Sequence, residues 1–392
     1  MRQTLAVISL NLRSIPRRLG MSTATVGAVA LVVAVLLGFQ AIGNGFRATA
    51  ERSGAEDIAI MLREGSQAEL NSGLSRDQAR LIEVADGVAR DETDSGIISA
   101  ELYVIVDGVL RGAQTEANLG LRGMEANGPA MRQGFSLVEG RMFSPGAAEL
   151  IVGEGVRREF LGFELGQEIR LGSNNWTVVG IFSTGGTVFD SEVWSDLGVL
   201  QNLYQRGSSV QSVRARLTSP DGLERLQAYV ENEPRLNLDV QTEAEFFAGQ
   251  SSGTAGVISS LGWPLSIVMA IGALAGAWNT LYSSVDARAR EIATLRAIGF
   301  SGLSAFTGTM AEAVMLSAIG GAAGTAIAVL FFNGLSFQGL GDSFTQVVFD
   351  LSVTWDSIET GIALAIMVGV LGGLFPAIRA ARMPILAVHR SS

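Results

Sequence analysis

The sequence predicts a membrane protein, α-helical with four transmembrane helices plus a large α+β extracytoplasmic domain between helices 1 and 2. Three observations carry this. Hydrophobic residues make up 48% of the 392 residues, and the mean hydropathy is +0.34. Four stretches contain no charge at all: 19–46, 246–285, 313–341 and 360–378. Each has room for the roughly 20 apolar residues a helix needs in lipid, where backbone groups find no water. About two hundred residues rich in both charge signs separate the first two stretches, enough for one domain of two lobes.

The segments then follow in order. Residues 1–20 form an amphipathic cytoplasmic segment, 21–43 the first span and 44–255 the outer domain. The second span is 256–282, followed by a cytoplasmic loop at 283–305, a third span at 306–334 and a short outer loop at 335–357. The fourth span is 358–376, and 377–392 is a cytoplasmic tail. Residues 4–15 mix apolar and polar side chains at helical spacing and end at Pro16-Arg17-Arg18, which fits a helix on the inner leaflet. Ala48-Thr49-Ala50 resembles a signal-peptide cleavage site, but it lies beyond the apolar run and follows Arg47, so the first span is read as an uncleaved anchor. Residues 171–189 are also uncharged, yet their Gly, Ser and Asn and the β-rich WTVVGIF read as a hairpin.

Charge sets the orientation. Segments 1–20, 283–305 and 377–392 hold ten Arg against two acids, Asp286 and Glu291. The loop 335–357 holds no Arg and three acids, Asp342, Asp350 and Asp356. Positive residues stay inside, so both termini are expected in the cytoplasm and the large domain outside.

In that domain Ser75-Arg76-Asp77-Gln78 is a capping box opening a helix through 84. Strands are expected at 97–106, 149–152, 168–171, 176–182, 209–217 and 236–241, with helices after 152 and from Pro220-Asp221 to 230. The pair 168–171 and 176–182 flanks Gly172-Ser173-Asn174-Asn175 as a hairpin. Its net charge of −13 makes nucleic acid an unsuitable partner. Asp91-Glu92-Asp94 lacks the ligand spacing of a calcium loop and reads as a solvated turn, and Gly185-Gly186 reads as a flexible one.

Absences restrict the chemistry. The chain has no Cys, no Lys and one His, His389. Without Lys there is no P-loop lysine for a nucleotide's phosphates. Without Cys there is no thiol nucleophile, thiolate metal site or disulfide. A single His in the tail builds neither a His-rich metal site nor a hydrolase triad. No enzymatic activity, metal or cofactor is expected of this chain.

The most informative segment is 288–300, RAREIATLRAIGF, between the second and third spans. Arg288, Ile292 and Leu295 recur at i, i+4 and i+7 with Glu291 and Arg296 beside them, a partly apolar helical face expected to seat in a groove. Gly299 with Ser301-Gly302 ends that helix. Gly272/Gly276, Gly320/Gly324 and Gly369/Gly373 are small-xxx-small pairs for packing within the bundle or across a dimer. Glu312, an ionisable group near the inner end of a span, calls for an interfacial partner, Arg296 or Arg288. Trp263, Trp278 and Trp355 are expected as interfacial anchors, with a kink at Trp263-Pro264.

Several motifs carry a resemblance. The outer domain has Glu139-Gly140-Arg141, Glu149-Leu150-Ile151-Val152-Gly153, Leu165-Gly166 and Val178-Val179-Gly180-Ile181. The insert has Arg290-Glu291-Ile292 and Leu295-Arg296-Ala297-Ile298-Gly299. Glu312, Gly320-Gly321, Gly324 and Phe375-Pro376-Ala377-Ile378-Arg379-Ala380 follow. In this order and topology the chain resembles the permease subunits of the MacB/FtsX-like ABC transporter family (type VII ABC transporters) over nearly its whole length.

That resemblance implies a multi-pass protein of the bacterial inner membrane that couples ATP hydrolysis to motion of its outer domain, for export or lipoprotein-type extraction. An alternative within the family is an FtsX-like regulator that gates an extracytoplasmic partner such as a cell-wall hydrolase. It implies a separate ABC ATPase subunit holding ATP and Mg, since the ATP-binding domain fused in MacB is lacking here. It also implies a second permease copy or homologous permease and, in export systems, a periplasmic adaptor. The ATPase-coupling residues it implies are Arg288, Arg290, Glu291, Ile292, Leu295, Arg296, Ala297, Ile298 and Gly299.

Overall fold

The computed structural model describes residues 19–340 and 346–383. The amphipathic stretch 4–15, four of the cytoplasmic-side arginines (Arg2, Arg13, Arg17, Arg18), Asp342, Arg390 and His389 lie outside the described residues. The chain divides into two compact units, one of Gly45–Ala255 with Ser336–Asp350, the other of Met1–Asn44, Gly256–Leu335 and Leu351–Ser392.

In the first unit the strands are β1 (Ile58–Arg63), β2 (Ile98–Val109), β3 (Glu116–Met124), β4 (Ser136–Gly140), β5 (Glu149–Gly153), β6 (Glu168–Leu171), β7 (Asn174–Ser183), β8 (Glu192–Asp196), β9 (Ser212–Arg216) and β10 (Leu238–Thr242). They form one continuous sheet in the order β10-β1-β9-β2-β3-β8-β5-β7-β4, with β6 on β7. The contacts β3–β8 and β5–β7 are parallel; the others are antiparallel. The helices are α2 (Arg76–Glu83), α3 (Glu154–Glu159), α4 (Leu197–Leu203) and α5 (Gly222–Asn232).

Local chemistry accounts for the elements read from sequence. Ser75 Oγ accepts from Gln78 N at 3.2 Å, and Gln78 Oε1 accepts from Ser75 N at 2.9 Å, a complete capping box on α2. Gly172, at φ +62°, and Ser173 turn β6 into β7, with Leu171 opposite Asn174. Sequence reasoning passed over β1, β3, β4, β8 and α4. It also treated 335–357 as a plain loop, whereas β11 (Ser336–Leu340) and β12 (Gln346–Asp350) pair there as a hairpin within the sheet's unit. Val348 N donates to Ser191 Oγ at 2.9 Å, and Phe349 meets Phe46 edge-on at 5.6 Å.

Strand alternation gives the sheet two unlike faces. One carries the main core: Leu102, Val104, Leu119, Leu121, Val193, Val213 and Ala215, covered by Ala79 and Ile82 of α2 and Leu226 and Val230 of α5. The other carries Ile60, Leu62, Met124, Ile151, Phe182 and Trp194 under Phe189, Phe246 and Phe247. The residues alternating with the main core on β2, β3, β8 and β9 are the charged Glu101, Arg122, Glu192 and Arg214.

Among the described residues, four helices are long and apolar enough to cross a membrane: α1 (Leu19–Ser53), α6 (Glu243–Ala287), α8 (Gly302–Phe332) and α9 (Trp355–Ala381). A short α7 (Ala289–Ala297) lies between α6 and α8. Val29, Val32, Val33, Leu36 and Leu37 of α1 form the bundle core with Ala270 and Ala273 of α6, Ala328 of α8, and Leu364 and Val368 of α9.

Glycines set the close contacts. A Cβ on Gly320 would lie 2.8 Å from the Val26 carbonyl oxygen, and one on Gly324 would lie 2.4 Å from that of Ala30, so α8 touches α1 backbone. Gly369 and Gly373 of α9 lie against Ser317 and Ala313 of α8, and Gly321 lies against Ala365. Gly272 and Gly276 meet no such atom within 4 Å. α6 continues through Pro264 as one helix. Trp278 donates to the Leu371 carbonyl at 3.1 Å and packs edge-on against Phe375, so its indole is held by α9.

Gly324→Ala is therefore expected to lose about 1–3 kcal/mol through overpacking, seen as a lower melting temperature of the full chain in detergent. Gly272→Ala, with open space at its Cβ, is expected to stay within about 0.5 kcal/mol.

Candidate functional site

The insert is built around one buried arginine. Arg288 sits at the N-cap of α7 and is only 3% exposed. Its Nη2 pairs with Glu312 Oε2 of α8 and donates to Ser284 Oγ at 3.2 Å, while Ser284 Oγ donates to Glu312 Oε1 at 3.4 Å. Of the two partners expected for Glu312, the structure brings it Arg288. Arg296 instead donates from Nη1 to the Met383 carbonyl.

Arg288, Ile292 and Leu295 share a face, as their spacing predicts. Arg288 is buried, Ile292 and Leu295 are half-buried, and Ala293 beside them is buried. The face left open holds Arg290, Glu291, Thr294, Ala297 and Ile298, the last 70% exposed. Gly299 follows at φ +103°, with Gly299 N bonded to Arg296 O and Phe300 N to Leu295 O, the pair of bonds of a Schellman ending. Ser301 then caps α8 by accepting from Ser304 N. At the other side of the bend Arg379 of α9 pairs with Asp286 at 2.8 Å and lies over the Tyr282 ring; both charged groups are half exposed, so this pair adds little stability.

The large domain holds a second constellation, which sequence reasoning missed. Glu69, Glu101, Glu192 and Glu243 surround Arg122, Arg132 and Arg214, all buried. Arg122 uses all five N–H donors: Nε and Nη2 to Glu192 at 2.8 Å each, Nη1 and Nη2 to Glu69 at 2.9 and 3.0 Å, and Nη1 to Glu101 at 2.9 Å. Arg214 reaches Glu101, Glu69 and Glu243 at 2.6, 2.8 and 2.8 Å. Arg132 bonds both oxygens of Glu101 and lies 4.6 Å from the Phe189 ring centre. Trp194 Nε1 donates to Glu192 at 2.8 Å.

Burial alone would raise the Glu69 carboxyl, but the Arg122 and Arg214 guanidiniums more than reverse this and hold it well below the usual carboxylate range. At Glu101 burial likewise pushes upward, and Arg132, Arg214 and Arg122 bring the net shift down. Burial pushes Arg132 down, reinforced by Arg214. Elsewhere Asp91 accepts from Thr93 N and Ser95 N and folds a turn on itself, and among the described residues no three metal-competent side chains cluster.

Residues 22–233 match the family model of the MacB-like periplasmic core domain, and 264–385 match that of the FtsX-like permease C-terminal domain. The chain belongs to the MacB/FtsX-like family of ABC transporter permeases and is a multi-pass membrane protein.

It is similar to the macrolide export ATP-binding/permease protein MacB 1 of Aeromonas hydrophila, 28% identical over 66% of this chain and 41% of the relative. It is similar also to the pyoverdine export ATP-binding/permease protein PvdT of Pseudomonas entomophila, 27% identical over 65% of this chain and 40% of the relative. The chain thus spans about two fifths of the length of these relatives. Among solved structures, the periplasmic region of MacB from Actinobacillus actinomycetemcomitans aligns with a TM-score of 0.38 and 12% identity, covering 50% of this chain and 92% of that one. The extracellular domain of YknZ from Gram-positive bacteria aligns with a TM-score of 0.36 and 15% identity, covering 47% and 99%.

Two outcomes test these pairings. Glu312→Gln removes a charge paired with the buried Arg288, a loss of about 3–5 kcal/mol, whereas Arg290→Ala on the open face stays within about 0.5 kcal/mol; thermal melts in detergent compare them. Glu69 and Glu101 bind protons more weakly folded than unfolded. Their contribution is therefore complete above the ordinary carboxyl value of 4.5 and is lost as pH falls below it. The melting temperature should drop steeply below that pH, and less steeply in Glu69→Gln.

Proposed function

We propose that this chain is the non-catalytic permease subunit of an ABC exporter, driven by a separate ATPase that holds the ATP and Mg. The observation that carries the reading is the insert: a short helix with Arg290, Glu291, Thr294, Ala297 and Ile298 open to a partner, its base fastened by the buried Arg288–Glu312 pair. An exposed isoleucine at the end of a charged face is what a docking groove takes up, and an anchored base passes on a push that a slack loop would absorb. In this reading both termini and the insert face the cytoplasm, the permease works as a pair of copies, and the large domain moves on the other side, where an adaptor engages it.

Export is favoured over wall-hydrolase gating because the relatives MacB and PvdT carry export in their names. The Arg290→Glu/Ile298→Asp double variant is expected to lose recovery of the ATPase in mild detergent with an unchanged melt. Full recovery by that variant would remove the docking face, and no ATPase recovered with the native chain would end the coupling reading. Because the chain has no Cys, Thr294→Cys and Asn175→Cys report topology directly, and labelling of both from one side of the membrane would refute the orientation.

A further inference from the structure

Within the unit that holds the sheet, the end of α1 and the start of α6 meet backbone to backbone. Ala244 N donates to Ala55 O at 3.3 Å. A Cβ on Gly54 would lie 2.4 Å from Ala244 Cα and 2.8 Å from Glu243 O, so only glycine permits the approach. The start of α6 carries its own capping box. Thr242 Oγ1 accepts from Glu245 N and Glu245 Oε2 accepts from Thr242 N, both at 3.1 Å. The neighbouring end of α1 is tied by Ser53 Oγ, which accepts from Val188 N at 2.9 Å.

Glu243, the first residue of α6, reaches the charged face of the sheet. Its Oε1 accepts from Arg214 Nε at 2.8 Å and lies 3.8 Å from Arg132 Nη1, and all three side chains are fully buried. Arg214 in turn holds Glu101 of β2 and Glu69, so the helix start is wired to residues on two adjacent strands. One turn on, Phe247 packs edge-on against Phe189 at 5.6 Å.

We propose that Glu243 is a positioning residue. Seated on Arg214 at the Gly54 crossing, it fixes residues 243–255 of α6 to the sheet so that the two move as one body. This rests on the coupling reading above: a helix start that slid over the sheet would dissipate a displacement before the domain felt it. Removing the Glu243 charge leaves Arg214 and Arg132 sharing what Glu69 and Glu101 supply, which loosens the seat without emptying the core.

The absence of Cys allows the measurement on the full chain in nanodiscs. Spin labels at Ala248→Cys on α6 and Asp107→Cys on β2, both exposed, report the helix–sheet distance by double electron–electron resonance. The expected result is one narrow peak, retained by Glu243→Asp and lost to a broad or split distribution in Glu243→Gln. Glu192→Gln is the control. It takes a carboxylate from Arg122 in the same network and leaves the Glu243–Arg214 pair in place, and is expected to lower the melting temperature while keeping the narrow peak. Gly54→Ala leaves every charge in place and is expected to shift the peak, which keeps the test open if Glu243→Gln does not fold.

A narrow peak in Glu243→Gln, or equal broadening in the Glu192→Gln control, overturns the proposal. So does a peak in the native background that shifts when the ATPase, Mg-ATP and vanadate are added. The distances without nucleotide need no ATPase, so failure to recover that subunit would sink the coupling reading while the joint is still decided.

Discussion

Taking a guanidinium out of water costs several kcal/mol unless carboxylates meet it, and this chain does so at Arg122, Arg132, Arg214 and Arg288. Both units are organised by that requirement. On the sheet, the partners come from residues as far apart in sequence as Glu69 and Glu243, so the pairing holds only when the strands stand in the native order and register. At the α6–α7 bend, the carboxylate of Glu312 holds the N-cap of the insert against α8. A buried ion pair adds little net stability over an apolar pair, yet it penalises every arrangement in which one partner is missing. Its contribution here is to fix geometry.

The glycines serve the same end by different means. Gly320 and Gly324 let α8 touch the α1 backbone, and Gly54 lets the two helix ends in the sheet's unit cross. A close backbone contact has few alternative positions, just as a five-bonded guanidinium has few alternative partners. The open face of α7 contrasts with this. Its exposed side chains are the ones the rest of the bundle leaves uncommitted.

What was legible in the sequence follows from the range over which each signal acts. Long uncharged runs, the Ser75–Gln78 box and the Gly172-Ser173 turn are local, and the structure has a helix, a helix start and a hairpin at those positions. The charged row was illegible because Glu101, Arg122, Glu192 and Arg214 alternate with apolar neighbours as solvent-facing strand residues do. Nothing local distinguishes a strand face covered by α6 from one left to water. The insert taught the same lesson. The spacing of Arg288, Ile292 and Leu295 correctly put them on one face. That this face turns toward the chain's own bundle depends on Glu312, 24 residues further on.

The absence of lysine bears on this network more directly than on catalysis. At exposed positions either cation is solvated, and lysine would serve as well as arginine. Position 122 is different. There two carboxylates are gripped through two parallel bonds each, and a third accepts the remaining hydrogen. A lysine ammonium has three donors on a flexible stem and no planar fork, so at least two of those five bonds would be unmade inside the domain. Arg214 and Arg132 share the charge of Glu69 and Glu101, and each oxygen of the Arg122 bidentate pairs has a defined hydrogen to receive. The sheet's second face therefore requires arginine for its geometry, whatever else set the composition of the chain.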